Sequence, residues 1–268
     1  MQPVSAAERP LAIIAALEEE ACGLVAEMAI EPGHRLLTIG GRDVHVGRLW
    51  GRSCVLTLAG IGKVAAATTA TGLIHSFDVE AMVFTGVAGA AATHVRVGDV
   101  VIADMLLQHD FDASPLFPRF EVPLTGRSRF DVHAGLADAL AAASQRCVDE
   151  AATLIGSAHL LRFDIVAPAV HRGLVVSGDR FVSSVAASDE LRQVLPDALA
   201  VEMEGAAVAQ VCHDYGIPFA AVRTISDAAD DSAHVDFPIF LRDVASHYSY
   251  EIIKRFISFF PPEADDVG

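Results

Sequence analysis

Acidic residues stand at the ends of four apolar segments that we predict to be β-strands. In an open α/β sheet the carboxyl ends of the strands meet at one edge, and ligands bind in the crevice there. Carboxylates collected at that edge could bind hydroxyl groups, stabilise positive charge or move protons. A helix cap or the helix dipole explains any one acid equally well, but the four strand ends together predict an acidic site. The acids are Glu18, Glu19 and Glu20 after the segment 11–17, of which the helix dipole could explain one or two, Asp179 after 173–177, Glu204 after 198–203 and Asp227 after 219–225.

A further carboxylate, Glu202, precedes Glu204 by two positions in the stretch AVEMEGAAVAQVC, residues 200–212. Alternation along a strand would put both side chains on the same side of the sheet. Because neighbouring carboxylates repel each other, at least one of them must leave the strand geometry or acquire a partner. Arg223 is the nearest fixed cation to this acidic site in the sequence.

The elements that must position these acids alternate along the chain. Short apolar β-rich segments followed by alanine-rich helical ones predict an α/β fold. Several strands are apolar on both faces and need helices on both sides, so we expect a three-layer α/β/α sandwich around a mixed, mostly parallel, twisted sheet. No linker composition divides residues 1–268, which predicts one domain with frayed ends at 1–10 and 261–268. Strands are predicted at 11–17, 54–58, 81–85, 99–103, 173–177, 198–203 and 219–225, and helices at 18–28, 63–77, 132–144, 184–194, 205–215 and 239–259.

Two glycine-rich segments follow predicted strands. The first, GIGKVA at 60–65, partly matches a dinucleotide-binding pattern, but Asp78 and Glu80 precede the strand at 81–85 instead of ending it, where a ribose-binding acid belongs. It also fails as a P-loop, because Val64 follows the lysine where a hydroxyl residue must reach the metal. The second, at 86–89, is predicted to be a tight turn. Both turns would let backbone N–H groups approach a small ligand.

The composition excludes several classes of partner. A formal net charge of -16 argues against a nucleic acid or an anionic membrane, because both require clustered Lys and Arg. Four cysteines without a CxxC pair indicate reduced thiols in a cytoplasmic protein, and neither a signal peptide nor a run of 18 apolar residues is recognisable. His109, Asp110 and Asp112 do not have the spacing of a metal site. We therefore expect a small-molecule ligand and neither a metal nor another cofactor.

Six motifs occur in the order and spacing of a known enzyme family. They are AALEEE, AGIGKVAAA, TGVAG, VSGDRFV, AVEMEGAAVA and VRTISDAADD. They resemble those of 5'-methylthioadenosine/S-adenosylhomocysteine nucleosidases, in the nucleoside phosphorylase superfamily, and the similarity runs from about residue 11 to residue 260. This resemblance implies a homodimeric hydrolase of methionine salvage. Such an enzyme cleaves the N-glycosidic bond of methylthioadenosine and adenosylhomocysteine, with 5'-deoxyadenosine as a further candidate, and releases adenine and the thioribose.

The resemblance also implies roles for individual residues. Glu20 looks like the general base that activates water, and Asp227 looks like the acid that protonates adenine N7. Breaking the bond leaves positive charge on the ribose and negative charge on the purine, so carboxylates near the sugar and a proton donor at the base lower the same barrier. Glu204 would bind the ribose hydroxyls, which leaves Glu202 as a structural neighbour. The other implied contacts are Met203 with the sugar, Ser226 with Asp227, Phe181 and Val182 with the adenine, Ile61 and Phe237 in the pocket wall, and Arg223 near the water.

Two positions favour water over phosphate as the nucleophile. Phosphorylases of the superfamily resemble this chain but have an Arg and a Ser where it has Phe84 and Val87. Without that cation and hydroxyl, a phosphate dianion would be poorly compensated. Val87 also replaces a Ser that helps to hold the water in many nucleosidases, which leaves the arrangement of the water open. A purine nucleoside phosphorylase, a futalosine hydrolase and a non-catalytic nucleoside-binding protein remain the alternatives.

The segment 109–129 interrupts the alternation of strands and helices with three prolines and several aromatic residues. Long loops inside compact domains are often functional. In the family that the chain resembles, the equivalent loop covers the 5' pocket of the partner subunit. We therefore expect Phe111, Leu116, Phe117 and Pro118 to supply apolar contacts across a homodimer.

Overall fold

The computed structural model describes residues 9–228 and 237–259. The segments 1–8 and 261–268, most of the predicted frayed ends, lie outside the described residues. The strands are β1 (Leu11–Ala15), β2 (Arg35–Ile39), β3 (Arg42–Leu49), β4 (Arg52–Leu58), β5 (Ala81–Ala90), β6 (Val100–Gln108), β7 (Arg129–Asp131), β8 (Val170–Ser177), β9 (Ala198–Glu202) and β10 (Phe219–Asp227). The helices are α1 (Glu18–Ile30), α2 (Lys63–Phe77), α3 (Ala134–Asp149), α4 (Ser157–Arg162), α5 (Val185–Val194), α6 (Gly205–Tyr215), α7 (Phe237–Phe240) and α8 (Ser246–Ser258).

All of these strands belong to one mixed sheet. Strand β1 pairs in parallel with β4 and β5, and the antiparallel strands β3 and β2 extend the sheet beyond β4. Strand β5 also pairs with β10 and β9, and β6 and β8 join those two strands, so that β5, β10, β6, β8 and β9 close into a ring. The ring brings the ends of β5, β9 and β10, which are far apart in sequence, to one place.

Helices cover both faces of the sheet, which confirms the predicted α/β/α architecture. Helices α1, α3 and α8 pack together on one face, and α2 packs against α6 on the other. Strand β1 shows why both layers are needed, because Ile13 lies in the apolar cluster under the first layer and Ile14 in the cluster under the second. Burying such a side chain contributes about 1.5–3 kcal/mol. Gly216, with a φ of 68°, ends α6 in the left-handed conformation.

The structure differs from the sequence prediction in several places. Strand β7 and helix α4 were not predicted, and β6 continues to Gln108 instead of ending at residue 103. The hairpin β2–β3 was not predicted, because the β2 side chains are largely exposed and lack the apolar alternation of a core strand. The glycine-rich segment 86–89 was predicted to be a turn, whereas it continues β5 to Ala90. The last helix, predicted at 239–259, begins at Phe237, and one wide turn at Leu241–Ala245 separates α7 from α8.

Candidate active site

A cavity of about 730 Å³, including its open mouth, lies where β5, β9 and β10 end beside the start of α1. This volume falls within the usual range for small-molecule sites. Glu20 and Arg223 are buried directly behind the cavity wall, where they bond to Leu17, Val87 and Glu202, residues of its lining. The other predicted site residues line the cavity itself: Ile61, Val87, Phe181, Val182, Met203, Glu204, Ser226, Asp227 and Phe237.

Glu20 is held by backbone groups from two elements. It occupies the first turn of α1, where its Oε2 accepts hydrogen bonds of 2.9 Å from the N–H groups of Ala16 and Leu17. Its Oε1 accepts one of 2.9 Å from the N–H of Val87 on β5. Burial nevertheless raises the pKa of Glu20 to about 7, against these bonds and the charge of Arg223. A carboxylate with that pKa can take a proton near neutral pH.

The contact between Glu20 and β5 requires a glycine. A Cβ on Gly86 would lie 3.1 Å from both carboxylate oxygens of Glu20. The sequence GVAG at 86–89 therefore has a different function from the predicted turn. It keeps β5 regular and removes one side chain, so that a buried carboxylate can reach the N–H of Val87.

Glu202 has a complete set of partners. It accepts hydrogen bonds from the N–H groups of Glu204 and Gly205 and from the Ser177 hydroxyl. Arg223 pairs with it, with Nη2 at 2.7 Å from Oε2, and both side chains are almost fully buried. Glu202 therefore neutralises a buried arginine and caps the start of α6, which agrees with the structural part expected for it.

The guanidinium group of Arg223 has further partners within the protein. Its Nη1 donates 3.1 Å hydrogen bonds to the carbonyl groups of Phe84 and Val222. The group also lies 4.0 Å from the centre of the Phe84 ring. Since Glu202 takes the second nitrogen, the cation is committed to the protein and only its field reaches the cavity.

Glu204 also lines the cavity but, unlike Glu202, has no direct cationic partner among the described residues. It is the residue before α6, and its Oε1 accepts a 2.8 Å hydrogen bond from the N–H of Gly62. Burial and the charge of Glu202 raise the pKa of Glu204 to about 7, against the Gly62 bond and Arg223. The role of the turn at 60–62 was missed by sequence reasoning, which assigned its N–H groups to a ligand. The Gly-x-Gly spacing was nevertheless a signal of close backbone approach.

Ser226 and Asp227 form the far wall of the cavity. They are the last residues of β10, and a shift of register between Ile225 and Asp227 interrupts its pairing with β5. The Ser226 hydroxyl donates a 2.8 Å hydrogen bond to Oδ2 of Asp227, which is buried. That bond fixes one carboxylate oxygen.

Apolar side chains form the rest of the wall. Val182 is buried, whereas Phe181 is 45% exposed and Ile61 is 66% exposed at the mouth. Phe237 closes the wall from the first residue of α7. A flat aromatic group could enter between these side chains, with carboxylates at both ends of the cavity.

Two groups of residues predicted near the site do not line this cavity. Asp179 does not line the cavity, because its carboxylate turns outward to the N–H of Lys63. Phe111, Leu116, Phe117 and Pro118 do not line the cavity of their own chain either, and Leu116 is 85% exposed. Their contact with a partner subunit stays a prediction. We call the segment 109–128, which carries them, the strap.

The described residues, 9–228 and 237–259, contain neither a metal site nor a membrane-spanning helix. Among these residues, no group of His, Cys, Asp and Glu side chains could hold a metal ion. The helices of the same ranges include none with the length and apolarity of a membrane span.

The fold and the cavity are those of a glycosidase-type enzyme that acts on nucleosides. The model of the phosphorylase superfamily matches residues 10–258, and the chain belongs to this superfamily. The structure is similar to that of a 5'-methylthioadenosine/S-adenosylhomocysteine nucleosidase from Neisseria meningitidis in complex with methylthio-immucillin-A, with 33% identity, a TM-score of 0.79 and coverage of 94% of this chain and 99% of that one.

Two further solved structures extend the comparison. An S-adenosylhomocysteine nucleosidase from Streptococcus pyogenes is 29% identical, with a TM-score of 0.78 and coverage of 96% of this chain and 100% of that one. A futalosine hydrolase from Helicobacter pylori is 28% identical, with a TM-score of 0.78 and coverage of 95% and 100%. The resemblance found in the sequence motifs is thus confirmed, while the relatives act on different nucleosides.

Proposed function

We propose that the protein hydrolyses the N-glycosidic bond of 5'-methylthioadenosine and S-adenosylhomocysteine, and releases adenine and the thioribose. One observation carries the proposal. Glu204 and Asp227 line one cavity, and Glu20 is buried behind its wall against Leu17 and Val87. The buried cation beside them, Arg223, is paired with Glu202. Arg180, the one basic residue among the described residues of the cavity lining, is exposed to solvent and follows Asp179 on the loop after β8. The buried part of the site therefore suits a cationic sugar better than an anionic nucleophile. 5'-Deoxyadenosine is a further candidate substrate.

Glu20 activates water in this proposal. In its ionised form it accepts a proton from a water molecule beside Val87, and the oxygen of that water forms the new bond to the ribose C1' atom. Because the pKa of Glu20 is raised to about 7, the base is ionised above neutral pH and still basic enough to take the proton. We expect kcat/KM to rise as the pH rises through about 7.

Glu204 and Asp227 act on the two halves of the bond that breaks. Ionised Glu204 accepts hydrogen bonds from the ribose hydroxyls and stabilises the positive charge on the sugar. Met203 packs against the sugar. Asp227, oriented by Ser226, donates its proton to N7 of adenine, and the bonding electrons leave with the base. Phe181 stacks on the adenine, and the backbone of Val182 reads its edge.

Phosphorolysis is the main rival reaction. A phosphate dianion in this cavity would meet carboxylates on several sides, and Val87 offers it an isopropyl group instead of a hydroxyl. The Nη atoms of Arg223 are bound to Glu202 and to the carbonyls of Phe84 and Val222. Arg180, which also lines the cavity, is exposed to solvent, where its charge is screened. Burying that charge without new partners would be costly, which supports water as the nucleophile.

The test is to incubate the protein with methylthioadenosine and adenosylhomocysteine, with and without phosphate, and to measure free adenine by chromatography. We expect adenine in both conditions at the same rate. Dependence on phosphate would show a phosphorylase instead, and binding without any adenine release would show a nucleoside-binding protein.

A second substrate belongs in the same assay, because the futalosine hydrolase is as similar in structure as the adenine-releasing relatives. Futalosine is an inosine-type nucleoside, so its 6-oxo group presents a different hydrogen-bonding edge to Val182. Preferential cleavage of a 6-oxopurine nucleoside would reassign the substrate and leave the reaction class unchanged. The homodimer, the cytoplasmic location and the part in methionine salvage belong to this proposal as well.

A further inference from the structure

Asp110, the second residue of the strap, contacts two loops of the cavity wall at the same time. Its Oδ1 lies 2.5 Å from Nζ of Lys63, the first residue of α2. Its Oδ2 accepts a 2.8 Å hydrogen bond from the N–H of Asp179, which lies on the loop after β8. One carboxylate therefore joins three segments of the chain.

The two loops also bond to each other, so that the contacts form a closed set. Oδ1 of Asp179 accepts a 2.7 Å hydrogen bond from the N–H of Lys63. Gly62 permits this contact, because a Cβ at that position would lie 3.0 Å from the same oxygen. We call Lys63, Asp110 and Asp179 the clamp.

The clamp lies within three residues of the site on both loops. Gly62, next to Lys63, donates the hydrogen bond to Glu204, and Ile61 before it lines the cavity. Phe181 and Val182 follow Asp179 by two and three positions and also line the cavity. We infer that Asp110 is a positioning residue, which ties the Gly62 turn that holds Glu204 to the loop that carries Phe181. This inference rests on the proposed function.

The clamp is less exposed to solvent than an ordinary surface ion pair, which suits a positioning role. The Lys63 side chain is only 14% exposed and that of Asp110 30% exposed. Partial burial opposes the ionisation of Asp110, but hydrogen bonds from Lys63 and from the Asp179 N–H outweigh it and hold its pKa below the ordinary value. Asp110 is therefore ionised, and able to hold both contacts, at the pH at which the enzyme would work.

Loss of the clamp should change Glu204 in a measurable direction. The Gly62 hydrogen bond lowers the pKa of Glu204, which faces Glu202, Glu20 and Arg223 as its charged neighbours. If the turn at 60–62 loosens, that bond weakens and the pKa of Glu204 rises further. The acidic limb of the kcat/KM profile then moves to higher pH. A role limited to global stability would leave this limb in place.

The experiment compares Asp110→Ala and Asp110→Asn with Asp112→Ala as the matched control. Asp112 is an exposed acid of the same strap, and its carboxylate accepts hydrogen bonds from the N–H and the hydroxyl of Ser114. Steady-state kinetics with methylthioadenosine are measured from pH 5 to 9. We expect Asp110→Ala to lower kcat/KM by about 10- to 100-fold, mainly through KM, because a small displacement of positioning groups has effects of that size. Asp110→Asn, which keeps an acceptor for the Asp179 N–H, should lose less, and Asp112→Ala should match the wild type.

Two results would overturn the inference. One is an Asp110→Ala variant whose KM and pH profile equal those of Asp112→Ala. The other is a loss confined to thermal stability. If the wild type cleaves none of the nucleosides, the proposed function fails, and the clamp is then tested by calorimetric binding of an adenosine analogue. In that case an unchanged Kd in Asp110→Ala and Asp110→Asn would refute it.

Discussion

Glu202 and Glu204 stand one residue apart at the end of β9, yet they lie in opposite environments. Glu202 faces the protein, with Arg223 and three backbone or hydroxyl donors around it. Glu204 faces the cavity, with one backbone donor, and its pKa is raised to about 7. The difference shows that a carboxylate paired with a cation can serve the architecture, while one that lacks a direct cation is poised for chemistry. Glu20 belongs to the second kind, because its direct partners are backbone N–H groups.

The largest expected effect is a loss of kcat when a carboxylate that faces the chemistry is replaced. Glu20→Gln and Asp227→Asn should each lower kcat by about a thousandfold or more, since general acid–base groups contribute about 10²–10⁴ each. Both variants should still bind an adenosine analogue, which calorimetry would show. Glu19→Gln, on an exposed acid in the same turn of α1, is the control and should keep wild-type kcat. A rate near that of the wild type in either variant would refute the assigned role.

The next largest effect is a loss of folding stability when Glu202, the carboxylate paired with Arg223, is replaced. Glu202→Gln replaces an oxygen that faces N–H donors by an amide NH2 and leaves Arg223 buried without a counter-ion. Breaking a buried ion pair in this way costs about 3–5 kcal/mol. Urea unfolding at pH 8 measures the loss. A variant as stable as the wild type would contradict the structural interpretation of Glu202.

The matched substitution, Glu204→Gln, should raise the free energy of unfolding at pH 8, whereas Glu202→Gln lowers it. The pKa of Glu204 rises from 4.5 to about 7 on folding, so its contribution to stability is complete below pH 4.5 and is lost as the pH rises through about 7. Glu204→Gln keeps an acceptor for the Gly62 N–H and removes that loss. We expect it to unfold at higher urea concentration than the wild type at pH 8, by about 1–3 kcal/mol, and to lose that advantage at pH 5. Lower stability at both pH values would mean that Glu204 is a structural residue like its neighbour.

The smallest effect concerns the water site. Val87→Ser adds a hydroxyl beside the backbone N–H that binds Glu20. A neutral hydrogen bond contributes about 0.5–1.5 kcal/mol, so kcat should rise by less than about tenfold. Single-turnover kinetics would measure the change, and a gain in phosphate-dependent cleavage would show instead that Val87 selects against phosphate.

The sequence predicted the parts of the site that follow directly from strand ends. Acids after apolar strands converge at one edge of an α/β sheet, which placed Glu204, Asp227 and one of the three acids at 18–20 together before the topology was known. The choice of Glu20 among those three came from the family resemblance. Asp179 followed the same pattern but turns to Lys63 instead, because the local geometry of a loop decides where a side chain points. A pattern along the chain contains no information on that choice.

Long-range pairing accounts for most of what was missed. The ion pair of Glu202 with Arg223 joins strands that are not neighbours in the sheet, and the need for Gly86 arises from a carboxylate on α1. The β2–β3 hairpin was missed for another reason. It is the outer edge of the described sheet and buries little of β2, so it lacks the apolar signal on which strand prediction depends.

The turn of the β2–β3 hairpin is a candidate position for inserting a peptide into the chain. This turn, Gly40–Gly41, has both residues at positive φ, and a Cβ on Gly41 would meet no heavy atom within 4 Å. The closed ring of strands that forms the site is separated from it by β4 and β1. Arg42, which follows the turn, nevertheless bonds to the carbonyls of Ala59 and Ala65 on either side of the Gly62 turn. A reporter peptide inserted between Gly40 and Gly41 would therefore leave the ring undisturbed as long as Arg42 keeps these two bonds.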